Sequence, residues 1–189
     1  MKLFKKAALQ LVILLFVSSC GKEKKSNTKD IVIEEEKTEA VTSKPKSKIC
    51  KIFIKGIFPQ NDSFELFFSE LATTPFSQEN TISRGFEGKK EVQELVFDLI
   101  DFYPEKIRLD LGSNSNMKEI YLEEILINYD EETLIIDASN FIQYFTNNQF
   151  ISFGENNKII LKVITTNEKK SYDPYLVSTP LLIKELVRL

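Results

Sequence analysis

The side chains with chemistry to offer are two cysteines, Cys20 and Cys50, an alternating pair, Arg108 and Asp110, and carboxylates close in sequence at Asp98 and Asp101, Glu123–Glu124 and Glu131–Glu132. A thiolate is a nucleophile and a metal ligand. Two carboxylates about 5–10 Å apart, with their pKa values pushed apart, cleave glycosidic bonds. A guanidinium and a carboxylate two residues apart on a strand share one face and meet as an ion pair. Histidine is absent from the 189 residues, which excludes Ser-His-Asp and Cys-His catalysis and histidine-ligated metals. Cys50 stands in the apolar alternation Ile49-Cys50-Lys51-Ile52 and reads as a small buried hydrophobe. With one thiol beyond Cys20, residues 49–189 offer neither an internal disulfide nor a Cys-rich zinc site. They hold 22 acidic residues, so chance carboxylate neighbours are expected, and nothing in the sequence builds a pocket around them. No catalytic residue is predicted. The available oxygen ligands favour calcium over a transition metal. Asn61–Asp62 and Asn128-Tyr129-Asp130 nevertheless read as turn residues, and no Asp-x-Asp-x-Asp-Gly loop is present. Neither a metal nor another cofactor is expected.

Cys20 stands in a different setting. Lys2, Lys5 and Lys6 make a short basic head, Ala7 to Val17 is apolar apart from Gln10, and two small residues precede the cysteine. The apolar run is shorter than the roughly 20 residues a bilayer span needs and fits the core of a secretory signal. Val17-Ser18-Ser19-Cys20 resembles the lipobox of a bacterial lipoprotein signal peptide. The alternative is a plain secretory signal, but no Ala-x-Ala site follows. The resemblance implies that residues 1–19 are removed and that Cys20 becomes the N-terminus. It implies a diacylglycerol on the Cys20 sulfur and a further acyl chain, palmitate-like, so that the membrane is a partner through this lipid. Each buried methylene adds about 0.8 kcal/mol to such an anchor. Gly21, rather than an aspartate, after the cysteine implies passage to the outer membrane.

The charge is uneven along the chain. The whole sequence is −3. Residues 21–48 hold eight lysines and six acids, and residues 49–189 hold 14 basic and 22 acidic residues, a net −8. An acidic domain repels phosphate backbones, so nucleic acid is not an expected partner. The same charge gives no attraction to anionic lipid. After Cys20, the segment to residue 48 is Lys, Glu, Ser, Thr and Asn with few branched apolar positions, and it is read as a flexible tether (20–48). Residues 49–189 have the length of one ordinary domain.

Alternation with period two dominates that domain. Cys50, Ile52 and Ile54 share one face, as do Phe64, Leu66 and Phe68; Leu95, Phe97 and Leu99; and Ile107, Leu109 and Leu111. Short strands are predicted at 82–86, 134–136, 150–153 and 159–163. A long one runs through Tyr121, Ile125, Ile127 and Tyr129, with a bulge near Glu123–Glu124 where the alternation breaks. One interior helix is predicted, capped by Asp137 or Ser139, carrying Phe141, Ile142, Tyr144 and Phe145, and ended by Asn147–Asn148. A second is predicted at Pro180–Leu189, with Leu182, Leu186 and Leu189 on one side. Many short strands with close turns indicate an antiparallel β-sandwich, jelly-roll-like, with one or two short helices. A lipocalin-like barrel is the alternative.

The segment Lys106-Ile107-Arg108-Leu109-Asp110-Leu111-Gly112-Ser113-Asn114, followed by Lys118 to Tyr129, resembles a stretch of extracellular proteins from Bacteroidetes-type bacteria. There it belongs to β-sandwich modules similar to galactose-binding-like and carbohydrate-binding domains. Arg108 and Asp110 by themselves read as a strand-face ion pair. Tyr172-Asp173-Pro174-Tyr175 reads as a turn with aromatic flanks. The expected function is a membrane-anchored lipoprotein with a non-catalytic binding domain for a glycan or cell-envelope ligand. The alternative is a structural or assembly lipoprotein that docks a protein partner in the envelope.

Overall fold

A computed structural model of the protein describes residues 49–189. The signal peptide, Cys20 and the tether predicted from the sequence lie outside the described residues.

The chain opens with β1 (Ile49–Ile57), β2 (Asp62–Ser69), β3 (Thr81–Phe86), β4 (Gln93–Ile100) and β5 (Lys106–Asp110). It continues with β6 (Glu119–Tyr129), β7 (Glu132–Asp137), α1 (Phe141–Tyr144) and β8 (Phe145–Asn147). It closes with β9 (Ile151–Phe153), β10 (Lys158–Leu161), β11 (Ile164–Thr166), β12 (Lys169–Ser171), β13 (Tyr175–Ser178) and α2 (Pro180–Arg188). The strands form two antiparallel sheets and a small β11–β12 hairpin. One sheet has the order β4-β1-β6-β10-β9, with β7 also paired to β6; the other has the order β3-β2-β5-β13-β8. The chain passes repeatedly from one sheet to the other, and the fold is an antiparallel β-sandwich.

The four alternating sets read from the sequence are the facing layers of the core. Cys50, Ile52, Ile54, Phe97 and Leu99 on one sheet oppose Phe64, Leu66, Ile107 and Leu109 on the other, and all are buried. At one end Phe58, Phe64 and Phe86 pack with ring centres 4.8–5.1 Å apart. Burying each such ring removes several methylene equivalents from water and supplies the main drive for the two sheets to close. Arg84 ties the sheets at one margin, its Nε donating to the Val96 carbonyl at 2.8 Å.

The predicted bulge is present, and it sets the register of β6. Lys55 pairs with Glu124 while Gly56 pairs with Leu122, which leaves Glu123 as the extra residue. Ile120 and Leu122 before it, and Ile125 and Ile127 after it, are therefore all buried despite the odd spacing. Tyr121 is half-exposed between the first two. The far edge of β6 changes partner at the same place. Tyr121 and the two residues before it pair with β10, and Glu124 to Tyr129 pair with β7.

The interior helix is shorter than predicted. It is one turn, Phe141–Tyr144, and Phe145 already belongs to β8, where the segment pairs with β13. Phe141 and Phe145 stack at 5.0 Å, so an extended residue reaches the same core position that a second helical turn would have supplied. Its N-cap is Asn140, which makes no side-chain cap bond. Asp137 instead closes the preceding turn, accepting from the N–H groups of Ser139 and Asn140 at 2.8 and 3.2 Å. The C-terminal helix lies where predicted, with Pro180 in its first turn and Leu182 and Leu186 buried; its cap, Thr179, was not among the residues predicted.

Candidate functional site

The outer face of the five-stranded sheet gathers the most distinctive polar residues. Register brings them together. Glu65 on β2, Asp110 on β5 and Tyr175 on β13 lie in one cross-strand row, and Phe67, Arg108 and Val177 lie in the next. Arg108 donates from Nε to Asp110 Oδ1 and from Nη2 to Asp110 Oδ2, both at 2.7 Å. Its guanidinium carbon lies 3.9 Å from the centre of the Tyr175 ring and 5.1 Å from that of Phe67. Asp173 reaches its Nη2 at 4.0 Å. The pair is partly buried, with 25% of the Arg108 side chain and 16% of the Asp110 side chain exposed. A planar cation held by a fork of hydrogen bonds and by aromatic faces is fixed in position. Burial pushes the Asp110 carboxyl above its ordinary range; Arg108 opposes this, and the neighbouring Asp173 and Glu65 carboxylates add to it.

Beside this pair is a cleft of about 190 Å³, lined by Glu65, Asp110 and Asp173, by Ser63, Ser113 and Tyr172, and by Gly112. One wall is the β5–β6 loop, and its shape is set by Asp62. Asp62 Oδ1 accepts from the N–H groups of Ser63 and Ser113 at 2.9 and 3.1 Å, and Oδ2 accepts from that of Asn114 at 2.9 Å. Gly112 has φ +89°, and a β-carbon there would overlap the Asp62 carboxylate. Asn61 Oδ1 accepts from the Gly88 N–H at 2.8 Å. Asn61 and Asp62 thus spend their oxygens on main-chain groups, as turn residues do. On the other side Tyr172 donates to the Met117 carbonyl at 3.3 Å, and burial pushes its hydroxyl up to about 12.

The other sequence candidates are placed elsewhere. Asp98 pairs with Lys51 at 3.5 Å and Glu123 with Lys55 at 3.7 Å, both on exposed strand faces. Asp101 occupies a left-handed turn position. Glu131 and Glu132 lie at the β6–β7 turn, where Asp130 accepts from the Tyr103 hydroxyl at 3.0 Å. Asn128 accepts from Thr133 at 3.1 Å. Cys50 is fully buried, and burial pushes its thiol up to about 12, so it stays protonated and inert. The sequence pointed to Arg108 and Asp110 but not to Glu65, Phe67 or Asp173 as their companions. Outward-facing Glu65 and Phe67 were visible in the β2 alternation; their partnership with β5 depends on register, which the sequence leaves open.

Among the described residues no group of three or more acidic or cysteine side chains is arranged to hold a metal ion, and no helix is long and apolar enough to cross a membrane. Comparison with protein-family models, curated proteins and solved structures finds no match to this chain.

Proposed function

We propose that the protein is a lipoprotein anchored in the outer membrane through Cys20, and that its sandwich is a non-catalytic binding module for a glycan of the cell envelope. The observation that carries this reading is the preorganised outer face of the five-stranded sheet. Arg108 is locked by Asp110, Tyr175 and Phe67 beside a cleft of carboxylate and hydroxyl groups. Carboxylates accept two hydrogen bonds from adjacent hydroxyls of a sugar, and a fixed guanidinium donates to ring or hydroxyl oxygens. The resemblance of Lys106 to Tyr129 to carbohydrate-binding sandwiches supports the same ligand class. Against catalysis, both oxygens of Asp110 are engaged by Arg108, so its carboxyl is not poised to exchange a proton with a substrate.

The test is a panel of envelope polysaccharides offered to the full chain in detergent. At least one should raise the melting temperature while releasing no new reducing ends. Glu65→Gln and Asp173→Asn should each weaken that binding at least tenfold. Turnover abolished by Asp110→Asn would replace the reading with a hydrolase. Absence of any bound polysaccharide, together with stoichiometric capture of one envelope protein, would replace it with a docking lipoprotein.

A further inference from the structure

A second concavity of about 260 Å³ lies on the other sheet, in the fork that the Glu123 bulge opens along β6. On one side of the bulge β6 pairs with β10, and on the other with β7. The two partners diverge from there. The Leu122 N–H donates to the Asn157 carbonyl at 3.1 Å, and the Ala138 N–H donates to the Glu123 carbonyl at 3.2 Å. These two bonds pin the β9–β10 turn to one side of the fork and the β7–α1 turn to the other. Leu122, Phe141 and Ile159 contribute buried apolar surface to its lining, and Phe153 is half-buried. Ser139, Asn156 and Asn157 form an exposed polar rim.

The lining carries no uncommitted charge. Lys158 donates to Glu119 at 2.9 Å and lies 5.3 Å from the centre of the Tyr121 ring. Asp137, beside the rim, accepts from the Ser139 N–H, the Ser139 hydroxyl and the Asn140 N–H. Asn156 and Asn157 both adopt left-handed backbone, at φ 53° and 63°, which suits a tight turn. Both residues line the concavity, and their side-chain amides have no hydrogen-bond partner among the described residues. An uncharged polar ligand can pair with these amides, whereas a charged one would find no free counter-ion in the lining. The volume lies just below the range of drug-sized sites, so it suits one ring rather than a chain of them.

We propose that this fork binds a single uncharged N-acetylated hexosamine ring. The acetyl methyl packs on Leu122 and Phe141, and the hydroxyls and amide meet Asn156, Asn157 and Ser139. This rests on the glycan reading above but not on the sheet-face cleft, since the two sites share no residue.

The experiment titrates N-acetylglucosamine, glucose and glucuronic acid into the full chain and follows amide shifts by NMR. N-acetylglucosamine should bind saturably, at least tenfold tighter than glucose or glucuronic acid. Ala138→Trp, which fills the fork, should weaken it at least tenfold. Asn156→Gly and Asn157→Gly suit the left-handed turn and keep the fold intact, and each should weaken binding severalfold. Lys51→Gln, on an exposed strand face outside both sites, should leave it unchanged. Equal binding of the three sugars, or N-acetylglucosamine binding indifferent to Ala138→Trp and to both glycine variants, overturns the proposal. If N-acetylglucosamine fails to bind while a polysaccharide still binds through Glu65, the fork assignment falls and the sheet-face reading stands. If no saccharide binds at all, both fall.

Discussion

Arg108 and Asp110 are two residues apart on β5, so strand geometry alone puts them on one face. Their rigidity comes from other strands. Tyr175 and Phe67 cover the guanidinium, and the carboxylate is partly withdrawn from water. The Lys51–Asp98 and Lys55–Glu123 pairs have no such cover, with at least 40% of each side chain exposed, and contribute about 0–1 kcal/mol each. The wall beside Arg108 depends on a smaller residue. Gly112 lets the loop turn at positive φ with its Cα against the Asp62 carboxylate. Gly112→Ala would add a left-handed backbone cost of about 1–2 kcal/mol. It would also push Asp62 away from three N–H donors, where a charge-assisted bond is worth about 1.5–3 kcal/mol. A loss of about 2–4 kcal/mol is expected in urea unfolding of the full chain. Gly85→Ala is the control, because its added carbon would meet only the Asp62 carbonyl at 3.9 Å, and stability should hardly change. Equal losses in the two variants would mean that the Gly112–Asp62 contact does not shape the loop.

At the scale of elements, the bulge in β6 fixes which residues face inward. Deleting Glu123 would restore an unbroken alternation through Ile120, Leu122, Ile125 and Ile127, so the core pattern would survive. Two main-chain bonds at the fork, Leu122 to Asn157 and Ala138 to Glu123, would be lost or rebuilt. At about 1 kcal/mol each, the deletion should cost about 2 kcal/mol in a denaturant melt. It should leave the strand-dominated circular dichroism unchanged; a chain that no longer folds would show that the bulge itself, and not the alternation, specifies the register. This bulge was legible because Glu123 interrupts a long apolar alternation. The other strands predicted from alternating or short apolar runs, β1 to β5, β7, β9 and β10, and the C-terminal helix were legible from the same kind of pattern. β8, β11, β12 and β13 were not. Lys169–Ser171 buries nothing, and Phe145–Asn147 follows helical spacing closely enough to be read as helix. Their extended form comes from partners far away in sequence, as when β13 pairs with both β5 and β8. The candidate sites were legible to the same extent. The Arg108–Asp110 pair is local, whereas the cleft around it and the fork in β6 exist only once register is set.

At the scale of the whole molecule, the proposed function assigns binding to the acidic sandwich and anchoring to the N-terminal lipobox-like sequence. Residues 49–189 carry a net −8, which gives the domain no electrostatic hold on anionic lipid. The proposed membrane attachment therefore rests on the sequence before residue 21, on the Cys20 thiol next to Ser18–Ser19 after a short apolar run. A single acyl chain holds a protein only reversibly, whereas two or more add enough methylene groups, at about 0.8 kcal/mol each, for stable residence. Fractionation of the native protein should place it with membranes and resist extraction by high salt, because salt screens charge and leaves hydrophobic burial intact. Mass spectrometry should find an N-terminal peptide that starts at Cys20 and carries a diacylglycerol together with a further acyl group. Cys20→Ala should remove the lipid, leave residues 1–19 uncut, and abolish the acylated peptide without altering the melting temperature of the sandwich, whose core among the described residues runs from Cys50 to Leu186. An unmodified Cys20 in the native protein, or a mature terminus at any other residue, would overturn the proposed anchor.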